Sequence, residues 1–201
     1  MKPSDYFEHD GGTSRRCETC LGFVANTRIE TVEGPRAARD LRVGDMVITK
    51  DMGPQPLTWI DHTVSAHGTL APILIRRNAL SNSVDLLISP GCLVLYEGWK
   101  AELLFGCSSV LVQAKSVVNE KDIYQVPNGN FAYTVFMFEN QQLVMAGGIW
   151  FATYYPANVN TIPDAAQMNP ICHTSDFECK QNIYDPLDRP ILRNYEATLI
   201  T

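Results

Sequence analysis

The sequence predicts an all-β protein built from short strands, and two observations carry that expectation. Apolar runs of about four to thirteen residues recur from Phe23 to Phe151, separated by Gly, Pro, Asn and Asp, which is the spacing of short strands joined by turns. The chain has 201 residues, 45% of them hydrophobic and 19% charged, enough to bury a full core as one domain with short extensions.

Taken in order, Phe23 to Thr31 reads as the first strand, with Glu33-Gly34-Pro35 as a turn after it. Met46 to Thr49 is the second strand, entered through a bend at Val43-Gly44-Asp45. Further strands are expected at Leu57 to Val64, Pro72 to Ile75, Val84 to Tyr96, Asp122 to Val126, Phe131 to Phe138 and Gln142 to Phe151. Short helical turns fit Ala37 to Leu41, Lys100 to Phe105 and Gln113 to Asn119. From Pro156 to Pro186, Pro, Asn, Asp, Ser and Thr are frequent and apolar periodicity is weak, so the run reads as a long connection. A final helix is expected over Arg189 to Leu199, with Pro190 in its first turn, where a missing amide hydrogen has no consequence. No internal repeat or low-complexity tract is evident.

Three early segments carry a family likeness: Gly-Phe-Val-Ala-Asn-Thr-Arg-Ile at 22 to 29, Asp-Leu-Arg-Val-Gly-Asp-Met-Val-Ile-Thr at 40 to 49, and Gly-Pro-Gln-Pro-Leu-Thr-Trp-Ile at 53 to 60. Together they resemble the opening of a Hint (hedgehog/intein) self-processing domain of the bacterial type. Asp85 to Leu95, then Gly98 to Leu104 and Val110 to Lys115, continue the likeness, which covers roughly residues 20 to 156. It implies a Hint-like horseshoe or barrel of short strands at 20–156, an N-terminal extension at 1–19, and a C-terminal extension at 157–201 with the short terminal helix.

The same alignment implies where the chemistry belongs. The family's opening block is similar to Cys-Phe-Thr-x-Gly-Thr-x-Ile, which places Gly22 under the nucleophilic Cys and Asn26 under the Gly. Its second block carries a His three residues after a Ser or Thr; here Ser89 is followed by Cys92. Its Tyr-x-His-x-x-x-Asp pattern falls on Tyr133 to Glu139, so Val135 replaces the His and Glu139 keeps only the carboxylate. An N-to-S acyl shift needs a thiol or hydroxyl, an imidazole to protonate the leaving nitrogen, and donors for the oxyanion. Glycine supplies no nucleophile, and valine neither gives nor takes a proton. His9, His62, His67 and His173 lie outside the matched blocks and read as ordinary residues. Catalytic residues are therefore not expected, with Gly22, Ser89, Cys92, Val135 and Glu139 as degenerate positions.

Cys20 is an alternative nucleophile, because residues two apart in a strand face the same side. Its offset of about 6.6 Å, at roughly 3.3 Å per residue, needs a register shift or bulge to correct. Cys17 and Cys20 also form a C-x-x-C pair, and Cys172 and Cys179, with His173 beside the first, a second pair. C-x-x-C is a good zinc half-site, whereas six intervening residues exceed the usual two to four. Four-thiolate zinc binding, a disulfide arrangement and unconnected thiols all remain open, the disulfide being disfavoured in a reducing cytoplasm. Cys92 and Cys107 sit in apolar surroundings and read as small buried hydrophobes.

Charge and composition exclude other classes. The formal net charge of −6 argues against nucleic acid as a main partner, and Arg76-Arg77 is too short for a phosphate patch. No run of about 18 apolar residues predicts a membrane span. Met1 to Gly12 lacks the basic start and apolar stretch of a signal peptide, so synthesis in the cytoplasm is the default. Trp150 to Tyr155 reads as packed aromatic residues rather than an exposed binding surface. The segment upstream of Gly22, which cleavage at the family position would have freed, and the polar termini lead to the expectation of an uncut chain. It would be held by protein partners in a larger assembly, such as a virion. An autoprocessing domain using Cys20 or Cys92, and a metal-stapled binding protein, are the competing expectations.

Overall fold

Where the sequence predicts one strand over residues 23 to 31, the chain forms two, because a turn at Ala25 to Thr27 carries it from one sheet to another. The computed structural model describes residues 22–66, 71–126, 129, 131–153 and 189–200. In it Thr27 N–H donates to the Val24 carbonyl at 2.8 Å, separating β1 (Phe23–Val24) from β2 (Arg28–Thr31). The run from Val84 to Tyr96 is divided in the same way. The turn Ser89-Pro90-Gly91-Cys92, closed by Cys92 N–H to the Ser89 carbonyl at 3.0 Å, separates β8 (Leu86–Ile88) from β9 (Leu93–Glu97). A proline at the second position of such a turn presets its φ.

A third expected strand, 142 to 151, is a hairpin of β13 (Leu143–Ala146) and β14 (Ile149–Ala152). Ala146 pairs with Ile149, leaving Gly147 and Gly148 as a two-residue loop with φ +56° and +90°. Positive φ at both central positions is the twist that joins adjacent antiparallel strands, and glycine reaches it without strain.

Two strands arise where composition signals turns: β3 (Gly34–Ala37) and β5 (Gly53–Pro56). Each pairs with the preceding strand, Glu30 opposite Pro35 and Ile48 opposite Pro54. Proline lacks a donor, so a strand that contains it belongs at a sheet margin. β4 (Met46–Thr49), β6 (Trp59–Ala66), β7 (Ile73–Ile75), β11 (Ile123–Gln125) and β12 (Phe131–Met137) lie within two residues of their expected bounds. β10 (Ser109–Gln113) is an additional strand. The expected helical turns appear as 3₁₀ turns at Ala38–Asp40 and Ala114–Val117, and as helix α1 (Trp99–Phe105). α1 ends at Gly106, in the left-handed conformation with its N–H on the Glu102 carbonyl, the usual helix stop.

Among the described residues these strands make two antiparallel sheets. One runs β11-β7-β8-β1-β12-β6; the other runs β10-β9-β14-β13-β2-β4-β5, with β3 on β2. The fold is all-β, as expected. Phe23 on β1 stacks on Phe136 of β12 with centroids 5.3 Å apart, and meets Phe151 of β14 edge-on at 5.7 Å. This aromatic contact joins the two sheets, in the offset and T-shaped arrangements that ring quadrupoles favour. Ile29, Ile73, Ile75, Ile88, Val94 and Val144 complete the shared core.

The expected terminal helix over 189–199 is mostly extended. Arg189 to Arg193 runs beside β10, and only Asn194–Ala197 forms a helix, α2. Pro190 lies in the extended part, where its carbonyl accepts the Leu111 N–H at 2.9 Å. The helix starts late because the Glu196 carboxylate accepts the Arg193 N–H at 2.8 Å, which fixes the first turn there.

Candidate functional site

Of the five places where the described chain changes sheet, two, the turns after β1 and after β8, lie near each other. Gly22 precedes β1 and Ser89 follows β8, and β1 pairs with β8 at Phe23 opposite Ile88. The Gly22 N–H donates to Ser89 Oγ at 3.0 Å, and the Ser89 N–H donates to the Gly22 carbonyl at 3.2 Å. Both residues are buried. A buried amide without an acceptor costs about 1–3 kcal/mol, so this pair of hydrogen bonds ties the start of β1 to the crossing after β8. Thr27 Oγ adds a bond to the Leu87 carbonyl at 3.1 Å.

The space beside Gly22 belongs to β12. Neighbouring residues on a strand point to opposite faces, so Phe23, Thr134 and Phe136 face the core while Gly22, Tyr133 and Val135 share the other face. A Cβ at position 22 would lie 3.1 Å from Tyr133 Cβ, 3.3 Å from Val135 Cγ2 and 3.5 Å from the Thr134 carbonyl. Any side chain there requires the strand to give by a few tenths of an ångström. The position aligned with a nucleophile is thus enclosed by one apolar side chain and the stem of another.

Of the expected site residues, Gly22, Ser89 and Val135 come together, and Cys92 closes the turn that begins at Ser89. Cys92 is fully buried, and desolvation pushes its thiol from the ordinary 9.0 up to about 12; the thiolate is the nucleophilic form, so at neutral pH this sulfur is an inert thiol. Glu139 is exposed beyond the end of β12, about 13 Å along an extended chain from Val135 at roughly 3.3 Å per residue. Cys17, Cys20, Cys172 and Cys179 lie outside the described residues, as do His9, His67 and His173. Among the described residues no three His, Cys, Asp or Glu side chains are placed to hold a metal.

One neighbour escaped the sequence reading. Asp61 on β6 pairs with Val135 and therefore shares its face. Its Oδ1 accepts the His62 N–H at 2.8 Å, and its buried Oδ2 has no hydrogen-bond partner among the described residues. Only the pairing of β6 with β12 exposes this relation, since 74 residues separate the two in sequence. His62, the nearest described histidine, points to the opposite face, with Nδ1 3.1 Å from Thr134 Oγ.

Two antiparallel sheets exchanging strands through adjacent crossings, with a site at that exchange, define a Hint-type fold. The Hint domain family model matches residues 21–158, and the chain belongs to that family. Solved structures of low identity are similar in fold. The bacterial intein-like domain from Clostridium thermocellum is 11% identical, with 67% of this chain and 99% of that one covered and a TM-score of 0.48. A splice-inactive variant of the AceL NrdHF class 3 split intein is 12% identical over 68% and 99%, with a TM-score of 0.46. The MchDnaB-1 intein is 11% identical over 66% and 99%, with a TM-score of 0.43. No curated protein matches the chain significantly.

Proposed function

We propose that this chain is a Hint-fold protein that has lost self-processing and serves as a structural or interaction module. The observation that carries the reading is Gly22, a residue without a side chain at the nucleophile's place, closed in by Tyr133 and Val135. The remaining chemistry of the site supports it. Ser89 Oγ receives the Gly22 amide, Cys92 is held as a buried thiol, and Val135 transfers no proton. The module reading has its own support in α1, where Trp99 and Leu103, one turn apart, are 68% and 71% exposed. Neighbouring exposed apolar side chains of this kind are one feature of protein contact surfaces. The proposed setting is an assembly of proteins, such as a virion, that the chain enters after synthesis in the cytoplasm. No described helix is long and apolar enough to cross a membrane.

Intact mass of the full-length protein, native and denatured, with and without thiol, tests the reading. One species at 22.4 kDa is expected. Fragments ending near Cys20 or Cys92 would overturn it in favour of autoprocessing. Extra native mass equal to a zinc ion would point instead to a metal-stapled protein held by Cys17, Cys20, Cys172 and Cys179.

A further inference from the structure

The segment 189–200 lies outside the matched Hint region, which ends at residue 158, yet it completes the structure at one margin. Among the described strands β10 pairs with β9 alone. Its other side would leave the backbone groups of Leu111, a fully buried residue, without partners. The segment supplies them. Leu111 N–H donates to the Pro190 carbonyl at 2.9 Å, and Leu192 N–H donates to the Leu111 carbonyl at 2.8 Å, a parallel bridge centred on Ile191. This is strand addition, the mode by which sheet edges bind extended peptides: main-chain bonds hold the ligand and alternate side chains give selectivity.

The side-chain contacts follow the same logic. Arg189 makes a two-pronged pair with Asp51, Nη1 to Oδ2 at 2.9 Å and Nη2 to Oδ1 at 2.7 Å, and its Nε reaches Ser109 Oγ at 3.3 Å. Leu192, Ala197 and Ile200 are buried in the body's own core cluster. Asn194 Oδ1 accepts from Ser116 Oγ at 2.6 Å, and Lys100 Nζ caps the Ile200 carbonyl at 3.2 Å. All of these bonds are noncovalent and directed at Asp51, Lys100 and residues 109–116, so none depends on the chain connection between Thr153 and Arg189.

We propose that the strip along the free edge of β10, from Asp51 to Ser116 and Lys100, is a peptide-binding site, and that residues 189–200 are its ligand supplied by the same chain. The ligand class is an extended peptide of pattern Arg-x-x-Leu-x-Asn that closes in a helical turn with a small residue three places on and an aliphatic one three places later. Arg is read by a planar carboxylate pair that Lys does not reproduce. At the Ala197 position the side chain is fully buried, which excludes larger residues. The site gives the interaction module a definite entry point for a partner segment of this pattern, and it stands independently of whether Gly22 has lost its chemistry.

The test keeps the whole chain. A specific protease site is inserted between residues 154 and 188, the folded protein is cut there, and the products are followed by native mass spectrometry and circular dichroism. The cut tail is expected to remain bound to a still-folded body, and a labelled synthetic 189–200 peptide to displace it saturably. A peptide carrying Arg189→Ala should bind at least about tenfold more weakly, and one carrying Leu192→Asp about a hundredfold. Asp51→Ala in the body should shrink the difference between the wild-type and Arg189→Ala peptides to what the remaining Arg189–Ser109 bond supplies. Loss of the fold on cutting, spontaneous departure of the tail, or failure of excess peptide to exchange with it would each overturn the proposal.

Discussion

At position 22 the absence of a side chain is both a chemical and a steric fact. Replacing Gly22 with Cys restores the sulfur but presses its Cβ against Tyr133 and Val135, and no imidazole is supplied. Gly22→Cys alone is expected to stay uncut by intact mass. Adding Val135→His should raise cleavage by the factor of about 10² to 10⁴ that a general acid typically contributes; cleavage in the single variant would show that only the nucleophile was missing. Cys92 offers a pH test. Its thiol is raised above the ordinary 9.0 to about 12 by burial, so between those values the unfolded chain releases a proton that the folded chain keeps. Stability from this group is complete below about pH 9 and is lost as pH rises toward about 12. Alkaline denaturation of Cys92→Ala should therefore fall less steeply than wild type over that window, and identical slopes would mean that the thiol is not desolvated. The substituted positions were legible in the sequence because each is a change of residue type. Asp61 was not, since only strand pairing brings it beside Val135.

At the scale of elements, most strands were readable and their breaks were not. Thr27, Pro90 and the Gly147-Gly148 pair each end a strand inside a stretch rich in strand-forming residues, and such content alone does not separate one long strand from two joined by a turn. The reverse error came from Pro35, read as part of a turn although β3, like the Pro54- and Pro56-bearing β5, is a margin strand where a missing donor does no harm. The terminal helix was placed too early because Pro190 suits a first turn, yet its carbonyl serves β10 instead. Gly147 gives this scale its prediction. Its φ of +56° is left-handed, and an added Cβ would lie 2.8 Å from Leu86 Cδ2, 3.0 Å from Val84 Cγ2 and 3.1 Å from Leu86 Cδ1, with Leu86 itself packed in the core. Backbone strain alone costs about 1–2 kcal/mol for an L-residue in that region, and the displacement of Leu86 and Val84 adds to it. Urea unfolding of Gly147→Ala should show a loss at least that large; no loss would mean that the hairpin turn is formed differently.

For the whole molecule, the sequence conveyed a single all-β domain and the family frame, while the arrangement of tail and body was hidden. Residues 189–200 touch partners 78 to 138 positions away, and no local pattern encodes such a meeting. The outer surface offers the complementary case. Leu103 projects from α1 into solvent, so Leu103→Ser should change unfolding free energy by less than about 0.5 kcal/mol in a denaturant melt. A loss of about 2 kcal/mol or more would show that the side chain is packed within the chain and is not a contact surface for partners.

The large sheet ends in β5 on one side and β10 on the other. Prolines at 54 and 56 deprive the first margin of donors, and the tail covers the second. These two margins are therefore poor templates for the same sheet of a neighbouring molecule, and β3, which contains Pro35 and pairs with β2, is the remaining margin among the described residues. Strand-to-strand stacking between copies is disfavoured at the β5 and β10 margins. If the tail leaves, the Leu111 backbone becomes the point at which that protection fails first.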